Sequence, residues 1–241
     1  SIGESNMSEF LESVAGQGFE NVTSKDVVTP LLLVAQKLSG VVDAGNVAEG
    51  HFYNSVTSED YGDELRLIIC DFRRMWYAWK PNQGGLAGIY EPDSISTTGD
   101  QFTGQFDEQG NKIEEKMVFI VLLADKLDAG YMVYTSTPGS IKYMKQWLSQ
   151  ARNVKLPSGK LAPLFGSIWK VKLNKVVSKD GNKYYAPADN GKSTFTWDSF
   201  VTEALFTQQI LPARQMAAHA ALSQDTKALE TKTETETETN F

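Results

Sequence analysis

The sequence predicts a mainly β fold with flanking helices, in the α+β class. Five or more short segments alternate apolar and polar residues or are continuously apolar, and clusters of turn residues separate them. One well-marked interior helix interrupts these segments, and they lack the strand–helix–strand order of a parallel sheet. These observations favour a small Greek-key barrel or sandwich, and an OB-fold-like barrel with large insertions fits them best.

The composition allows a packed core and removes several kinds of chemistry. Apolar residues make up 41% of the 241 positions, which is ample for a globular chain. The single cysteine, Cys70, cannot form an internal disulfide and agrees with a reducing compartment. With one cysteine and two histidines, His51 and His219, a cysteine-rich zinc site cannot form and a Ser-His-Asp triad is not expected. We therefore expect neither a cofactor nor a metal, and no enzymatic activity.

Two glycine-containing motifs look like nucleotide-binding loops but lack the residues that such loops require. Gly191-Lys192-Ser193 would need a glycine at position 186, where this chain has Ala186. Residues 84–88 contain three glycines without the dinucleotide fingerprint. We interpret the first motif as a surface turn and the second as part of a flexible loop.

Periodicity and turn residues predict the individual elements. Residues 64–74 alternate around Leu65, Leu67 and Ile69, which predicts a strand that the aromatic cluster 75–79 continues. Residues 116–123 are continuously apolar, which predicts a strand buried on both faces. Residues 139–152 predict the interior helix, with Ser140 as its cap. The other predicted elements are, in chain order, a helix capped by Ser8, an apolar run at 31–38, a strand at 50–56, a loop at 81–111, a strand at 130–135, a hairpin of 165–177 with 183–186, and helices at 199–207 and 214–222.

These elements divide into three regions. Residues 1–45 are predicted to form an N-terminal helical arm, and residues 46–212 the OB-like core. Residues 213–241 contain a helix and an acidic tail. Residues 231–241 alternate threonine with charged residues and have too little apolar surface to fold, so we expect a disordered C-terminus.

The charge is distributed unevenly along the chain. The formal net charge is −7, which argues against a generic nucleic-acid-binding protein. Residues 140–183, however, contain ten basic residues and one acid, Asp180, so this stretch carries +9 and the remainder −16. Such segregation produces a local positive field despite the acidic total.

Basic and aromatic residues occur together in two segments of this sequence. Single-strand nucleic-acid binding uses this combination, because cations contact phosphates and rings stack on bases. Alternation in a strand places Arg74 and Trp76 on one face of residues 73–80, and Arg73, Tyr77 and Trp79 on the other. The candidate nucleic-acid-binding residues are Arg73, Arg74, Trp76, Tyr77, Trp79, Lys142, Lys145, Lys170, Lys172, Lys175, Tyr184 and Tyr185. Aromatic residues on strands are also typical of a core, and a row of lysines is also typical of a protected sheet edge.

The C-terminal tail predicts a second kind of contact. Its acidic residues include Glu234, Glu236 and Glu238, and its last residue is Phe241. A chain-end carboxylate beside an aromatic ring suits an apolar pocket with a basic rim on a partner protein. A solubilising tail that ends arbitrarily is the alternative interpretation.

The ending from Glu234 to Phe241, together with the β segments that carry Trp and Lys, resembles the single-stranded DNA-binding proteins of bacteriophages. That resemblance implies an OB-fold core whose acidic tail recruits replication proteins such as a polymerase, helicase or primase and competes with DNA for the basic groove. It also implies the cytoplasm of an infected bacterial host as the location. The opening segments 16–22, 29–36 and 50–53 are similar to a recurring type of phage gene product.

The sequence-based hypothesis is a non-enzymatic phage protein that coats single-stranded DNA in replication or recombination. A phage structural or host-interaction protein with a self-assembling β core is the first alternative. An enzyme that uses carboxylates such as Glu59-Asp60, Asp63-Glu64 or Glu114-Glu115 with a divalent metal is the second. No membrane partner is expected, and the oligomeric state, including a homodimer, is left open.

Overall fold

The computed structural model describes residues 28–82, 84–100 and 104–220 as a mainly β protein with few helices. Its strands are β1 (Leu32–Val34), β2 (Phe52–Asn54), β3 (Asp60–Gly62), β4 (Glu64–Trp79), β5 (Leu86–Tyr90), β6 (Thr98–Asp100), β7 (Gly104–Phe106), β8 (Lys112–Leu123), β9 (Met132–Thr135), β10 (Ser167–Lys172), β11 (Asn174–Val177), β12 (Lys183–Ala186), β13 (Ala188–Asp189), β14 (Lys192–Ser193) and β15 (Thr196–Phe200). Its α-helices are α1 (Gly40–Asp43), α2 (Ile141–Ala151), α3 (Glu203–Leu205) and α4 (Leu211–Ala220), and a π-helical segment (Phe206–Ile210) joins the last two.

Two long strands, β4 and β8, form an antiparallel ribbon that runs through the main sheet. They pair from Leu67 with Leu123 to Trp79 with Lys112. In the proximal half of the ribbon, residues 64–72 and 119–123, β10 and β9 flank the two strands. In the distal half, residues 73–79 and 112–118, β5 pairs with residues 76–79 of β4 and β7 pairs with residues 112–113 of β8. The same two strands therefore belong to two different surroundings.

The main sheet is open in the part of the chain that the structure describes. Its strand order is β15-β10-β4-β8-β7-β6, with β5 beside β4 and β9 beside β8, and its two end strands do not pair with each other. A smaller sheet, β1-β2-β3, and the two hairpins β11-β12 and β13-β14 complete the fold. The mainly β prediction is confirmed, whereas a closed OB barrel is not.

Both faces of the proximal half are buried. On one face, Leu67 and Phe119 pack with Trp147 of α2. On the other face, Ile68 and Ile120 pack with residues of the π-helical segment and α4. The prediction that the continuously apolar strand is buried on both faces is confirmed, and it begins four residues earlier, at Lys112.

Two predicted elements are wrong. The predicted loop at 81–111 contains β5, β6 and β7, because pairing with the distal half of the ribbon overrides the glycine-rich composition. Position 88 of β5 accommodates a glycine, since a Cβ there would lie 2.5 Å from the Tyr90 hydroxyl. The predicted helix at 199–207 begins only at Glu203, since residues 196–200 are β15 and pair with β10.

The outer regions of the predicted organisation are described in part. Leu31 and Leu32, at the end of the predicted N-terminal arm, are each 1% exposed, and the Pro30 carbonyl accepts a hydrogen bond from Val133 N–H at 2.9 Å. Residues 31–34 thus pack into the core through β1, whereas Val28 is exposed. The helix predicted after Ser8 and the tail with Glu234, Glu236, Glu238 and Phe241 lie outside the described residues.

Candidate nucleic-acid interface

Helix α2 is fixed to the sheet by one large aromatic side chain. Trp147 is fully buried, and its ring lies between those of Phe119 and Phe195, with centroids 4.8 Å and 3.9 Å away. Met144 lies one turn earlier on the same face and is also fully buried. This packing determines which side of the helix is presented to solvent.

The outward face of α2 is basic. Lys142, Lys145, Ser149 and Arg152 follow one another at helical spacing, and all four are exposed. Neither the helix nor the eight residues after Arg152 contain an acid. At about 1.5 Å per residue, the three cations extend over about 15 Å.

Ser140 occupies the N-cap position of α2, as predicted, but its side chain does not cap the helix. The Ser140 hydroxyl instead accepts a hydrogen bond from Thr137 N–H at 2.9 Å. The Thr137 carbonyl accepts from Ile141 N–H, also at 2.9 Å. The first N–H groups of α2 are therefore bonded to backbone carbonyls of the residues before it rather than to the Ser140 side chain.

A hairpin extends this basic face on one side. The Gln146 side-chain oxygen accepts a hydrogen bond from Ser193 N–H at 2.7 Å, which holds β14 against α2. The cleft between them has a volume of about 510 Å³ and is lined by Lys145, Gln146, Ser149, Gln150, Lys192 and Ser193. The hairpin turn has positive φ at Asn190 (45°) and Gly191 (78°), as in a type I′ turn. The interpretation of the Gly191-Lys192-Ser193 motif as a surface turn is confirmed for Gly191, whereas Lys192 and Ser193 form β14.

The distal half of the ribbon extends the basic face on the other side. Register places Arg74 opposite Met117 and Trp76 opposite Glu115, so these side chains share the face that α2 covers further along the ribbon. Arg74 is 62% exposed and Trp76 is half-buried. A second cleft, of about 480 Å³, is lined by Arg73, Arg74, Met75, Glu91, Pro92 and Ser94.

Glu115 connects the two clefts. One of its carboxylate oxygens lies 3.6 Å from Nε of Arg74 and 3.5 Å from Nζ of Lys145. Lys145 lines the first cleft, beside α2, and Arg74 lines the second. We call the surface formed by Arg74, Trp76, Lys142, Lys145, Arg152 and Lys192 the basic track.

Two of the predicted aromatic residues lie on the opposite face of the ribbon. Tyr77 is fully buried and Trp79 is half-buried, with ring centroids 6.3 Å apart. Nζ of Lys116 lies 5.8 Å from each ring, and Lys116 is 2% exposed. Tyr77 therefore fills the core, and its ring is not accessible to a base in this fold.

The remaining predicted tyrosines are half-buried in the β11-β12 hairpin. The ring of Tyr184 covers Gly139, where a Cβ would lie 2.6 Å from it, and burial raises the Tyr184 pKa. The ring of Tyr185 covers Gly50 in the same way, and Nζ of Lys175 lies 5.5 Å from the Tyr185 centroid. Both rings therefore close gaps beside glycines of neighbouring loops.

The predicted lysines of β10 lie on the other side of the main sheet from α2. Trp169 packs with Trp147, so alternation directs Lys170 and Lys172 to the opposite face. Lys170 Nζ lies 3.0 Å from Asp198, which also accepts a hydrogen bond from Arg66 at 2.6 Å. Hydrogen bonds from Arg66 and then Lys170 lower the pKa of Asp198 to about 2.

The other paired lysines follow the same pattern. Lys172 lies 3.9 Å from Asp63, and Lys175 lies 3.5 Å from Glu49. The structure thus brings Arg74, Trp76, Lys142 and Lys145 to one face, where Arg74 and Lys145 share the acidic partner Glu115. Lys170 and Lys172 are on another face, where they pair with Asp198 and Asp63.

Two residues of the basic track were missed by the sequence analysis. Arg152 follows Lys145 by seven residues, and this helical spacing could have identified it. Lys192 could not be identified, because its position beside α2 depends on the hydrogen bond between Gln146 and Ser193.

The acidic pairs that could have supported metal chemistry are bonded to cations or to backbone. Glu59 pairs with Lys126, and Asp60 lies 2.8 Å from the His51 ring nitrogen. Burial raises the pKa of Asp60, but hydrogen bonds from Ala48 and Gly62 N–H outweigh it and lower that pKa overall. Among the described residues, no cluster of three or more His, Cys, Asp or Glu could hold a metal ion. The described helices include none of the length and hydropathy needed to span a membrane.

Residues 3–216 match the family model of the Pam3 phage gp34-like protein. The chain belongs to this family. The match covers most of this gp34-like chain and confirms the similarity to a phage gene product. Searches of curated proteins and of solved structures give no match for it.

Proposed function

We propose that this gp34-like protein binds single-stranded DNA through the basic track and catalyses no reaction. The observation that carries this proposal is the outward face of α2, where Lys142, Lys145 and Arg152 are aligned without an acid on the helix. Trp76, half-buried on the ribbon, pairs with Glu115, whose carboxylate lies 3.5 Å from Nζ of Lys145, so its ring is near one of these cations. Cations that follow a backbone next to an aromatic ring are the arrangement that sequence-tolerant single-strand binding uses.

The two clefts add polar groups suited to phosphate. The cleft beside α2 is lined by two lysines and two serines, which are Lys145, Lys192, Ser149 and Ser193. Hydroxyls and ammonium groups both donate hydrogen bonds to phosphate oxygens. Each phosphate that a cation neutralises releases a counterion, so binding through the basic track is expected to weaken steeply with salt.

In the infected bacterial cytoplasm, the protein would coat single strands during phage replication or recombination, with the open β core acting as an OB-like binding surface. Glu234, Glu236, Glu238 and Phe241 would recruit a polymerase, helicase or primase. The acidic tail also repels DNA or competes with it for the basic track. Removal of residues 231–241 is therefore expected to tighten binding to an oligo-dT at low salt; unchanged or weaker binding would count against this role of the tail.

The direct test is fluorescence anisotropy of a labelled oligo-dT, repeated with duplex DNA and with rising salt. We expect binding to the single strand that decreases with salt, and little binding to the duplex. If the intact protein binds neither DNA at low salt, the proposal fails.

The exposed end strand β15 favours one alternative, a self-assembling β core. Trp197 on this strand is 45% exposed, and β15 pairs with β10 alone among the described strands. Unpaired strand edges can add a strand from another copy. Sedimentation that depends on protein concentration, together with no binding to oligo-dT, would support this alternative.

A further inference from the structure

We infer that Glu115 is a built-in competitor of DNA phosphate and limits the affinity of the basic track. The inference rests on the proposed function and concerns the same surface. In the described structure, the Glu115 carboxylate contacts Arg74 and Lys145, and each of these cations lines one of the two clefts. A phosphate that bridges the clefts would take the position of this carboxylate.

The two ion pairs of Glu115 are long and exposed to solvent, so a ligand can replace the carboxylate. The nitrogen–oxygen distances in the two ion pairs are 3.5 Å and 3.6 Å. A charge-assisted hydrogen bond is shorter, at about 2.7 to 2.9 Å. The side chains of Glu115, Arg74 and Lys145 are 36%, 62% and 54% exposed, so all three can move into water. A phosphate offers more acceptor oxygens than a carboxylate and can approach both cations closely after Glu115 turns away.

The neighbouring acid on β8, Glu114, is an example of a carboxylate with a structural role. Glu114 is on the opposite face, 19% exposed, and lies 3.0 Å from Lys112 and 4.0 Å from the buried Lys116. Its position beside a buried cation gives it a role in the stability of the distal half. Alternation along β8 thus separates a structural acid from one that faces the basic track.

Glu115 also gives the basic track a simple form of selectivity. A ligand must break the two ion pairs of Glu115 before it can bind, and a neutral ligand forms no ion pair in return. A phosphate replaces both ion pairs, so it binds with the smallest loss of free energy. Weak or neutral ligands therefore do not displace Glu115 from Arg74 and Lys145, whereas a nucleic-acid backbone does.

The test compares Glu115→Gln with Glu59→Gln in oligo-dT binding. Both changes remove one negative charge that is paired with a lysine, but Glu59 pairs with Lys126, beyond the other end of β8. Eight residues of strand separate Glu115 from Leu123, which is about 26 Å at about 3.3 Å per residue. Glu115→Gln is expected to bind about fivefold more tightly at low salt, the effect of removing one unit charge about 4 Å from a phosphate. Glu59→Gln is expected to bind like the wild-type protein.

Salt dependence gives a second measure of the same contact. The slope of log K against log salt is expected to become steeper by about 0.7 in Glu115→Gln, because one further phosphate replaces counterions. Glu115→Thr, which keeps a residue that favours strands, should give the same result if Glu115→Gln does not fold.

The outcomes separate this inference from the proposed function. If the wild-type protein binds oligo-dT but both glutamine variants bind with the same affinity, the inference is wrong and the proposed function stands. Weaker binding by Glu115→Gln also overturns the inference, since the carboxylate would then position the cations for DNA. If neither the wild-type protein nor any variant binds, the proposed function is overturned first.

Discussion

The proximal and distal halves of the β4-β8 ribbon have the same backbone pairing but different roles. In the proximal half, Ile69 and Phe119 are fully buried, and helices cover both faces of the sheet. In the distal half, the face that carries Tyr77 is buried, whereas the other face combines the exposed Arg74 and the half-buried Trp76 with buried residues such as Met117. The layers that flank a strand, rather than the strand itself, therefore decide whether its residues form core or a binding surface.

The boundary between the halves lies near an irregularity in β4. The register with β8 shifts between Ile69 and Asp71, so Cys70 has no direct partner there. Beyond this bulge, Arg74 is exposed and lies near Lys145 of α2 through Glu115, although Met117 opposite Arg74 is still buried. The basic track thus begins on the distal side of the bulge.

The largest effect that we expect from this comparison is on stability. Trp147→Ala removes the ring between Phe119 and Phe195 in the proximal half, so the free energy of unfolding should fall by about 3 to 5 kcal/mol. Trp76→Ala in the distal half removes a half-buried ring and should cost clearly less. Urea unfolding followed by circular dichroism measures both, and equal losses would contradict the distinction between the halves.

The next effect concerns the affinity for oligo-dT, which we expect to depend on the distal half more than on the proximal half. Trp76→Ala should weaken oligo-dT binding by about 1 to 3 kcal/mol if a base stacks on this ring. Trp197→Ala is the matched control, because it removes an exposed tryptophan from the end strand β15 and leaves the Trp76 ring in place. Anisotropy titration on the folded variants measures the difference, and unchanged affinity in Trp76→Ala would remove it from the basic track.

The smallest expected effect is on the pH dependence of stability, through a carboxylate at the edge of the proximal half. Asp198 joins β15 to Arg66 of β4 and Lys170 of β10, and its pKa of about 2 lies below the value near 3.9 expected for unfolded Asp. Its contribution to stability is thus complete above about pH 4 and is lost as the pH falls toward about 2. Thermal unfolding from pH 5 to pH 2 should show a smaller decrease in Tm for Asp198→Asn than for the wild-type protein. Asp180→Asn, in the exposed turn of the β11-β12 hairpin, is the control, and an equal decrease in all three would contradict this role of Asp198.

Much of the fold follows from local sequence patterns. Alternation around Leu67 and Ile69 is sufficient to predict β4, and the spacing of Met144 and Trp147 is sufficient to predict α2. Strands β5 to β7 could not be predicted in this way, because their glycines and short lengths become compatible with a sheet only beside the ribbon.

The candidate site was predictable in composition but not in arrangement. Alternation correctly separated Arg74 and Trp76 from Tyr77 and Trp79. It could not indicate that Tyr77 faces the core, or that Lys142 and Lys170 lie on opposite sides of the sheet. Those facts depend on where α2 packs, which residues distant in sequence such as Phe119 and Phe195 determine.

The most direct test of the basic track compares two double variants that each remove two positive charges. Lys142→Ala with Lys145→Ala changes the track, whereas Lys170→Ala with Lys172→Ala changes the opposite face of the sheet. In anisotropy titrations with oligo-dT, the first pair should weaken binding at low salt and reduce the salt slope by about 1.4, because each phosphate that a lysine neutralises contributes about 0.7 to that slope. The second pair should leave both quantities close to those of the wild-type protein. Stronger weakening by the Lys170 and Lys172 pair would contradict the account and assign DNA binding to the other face.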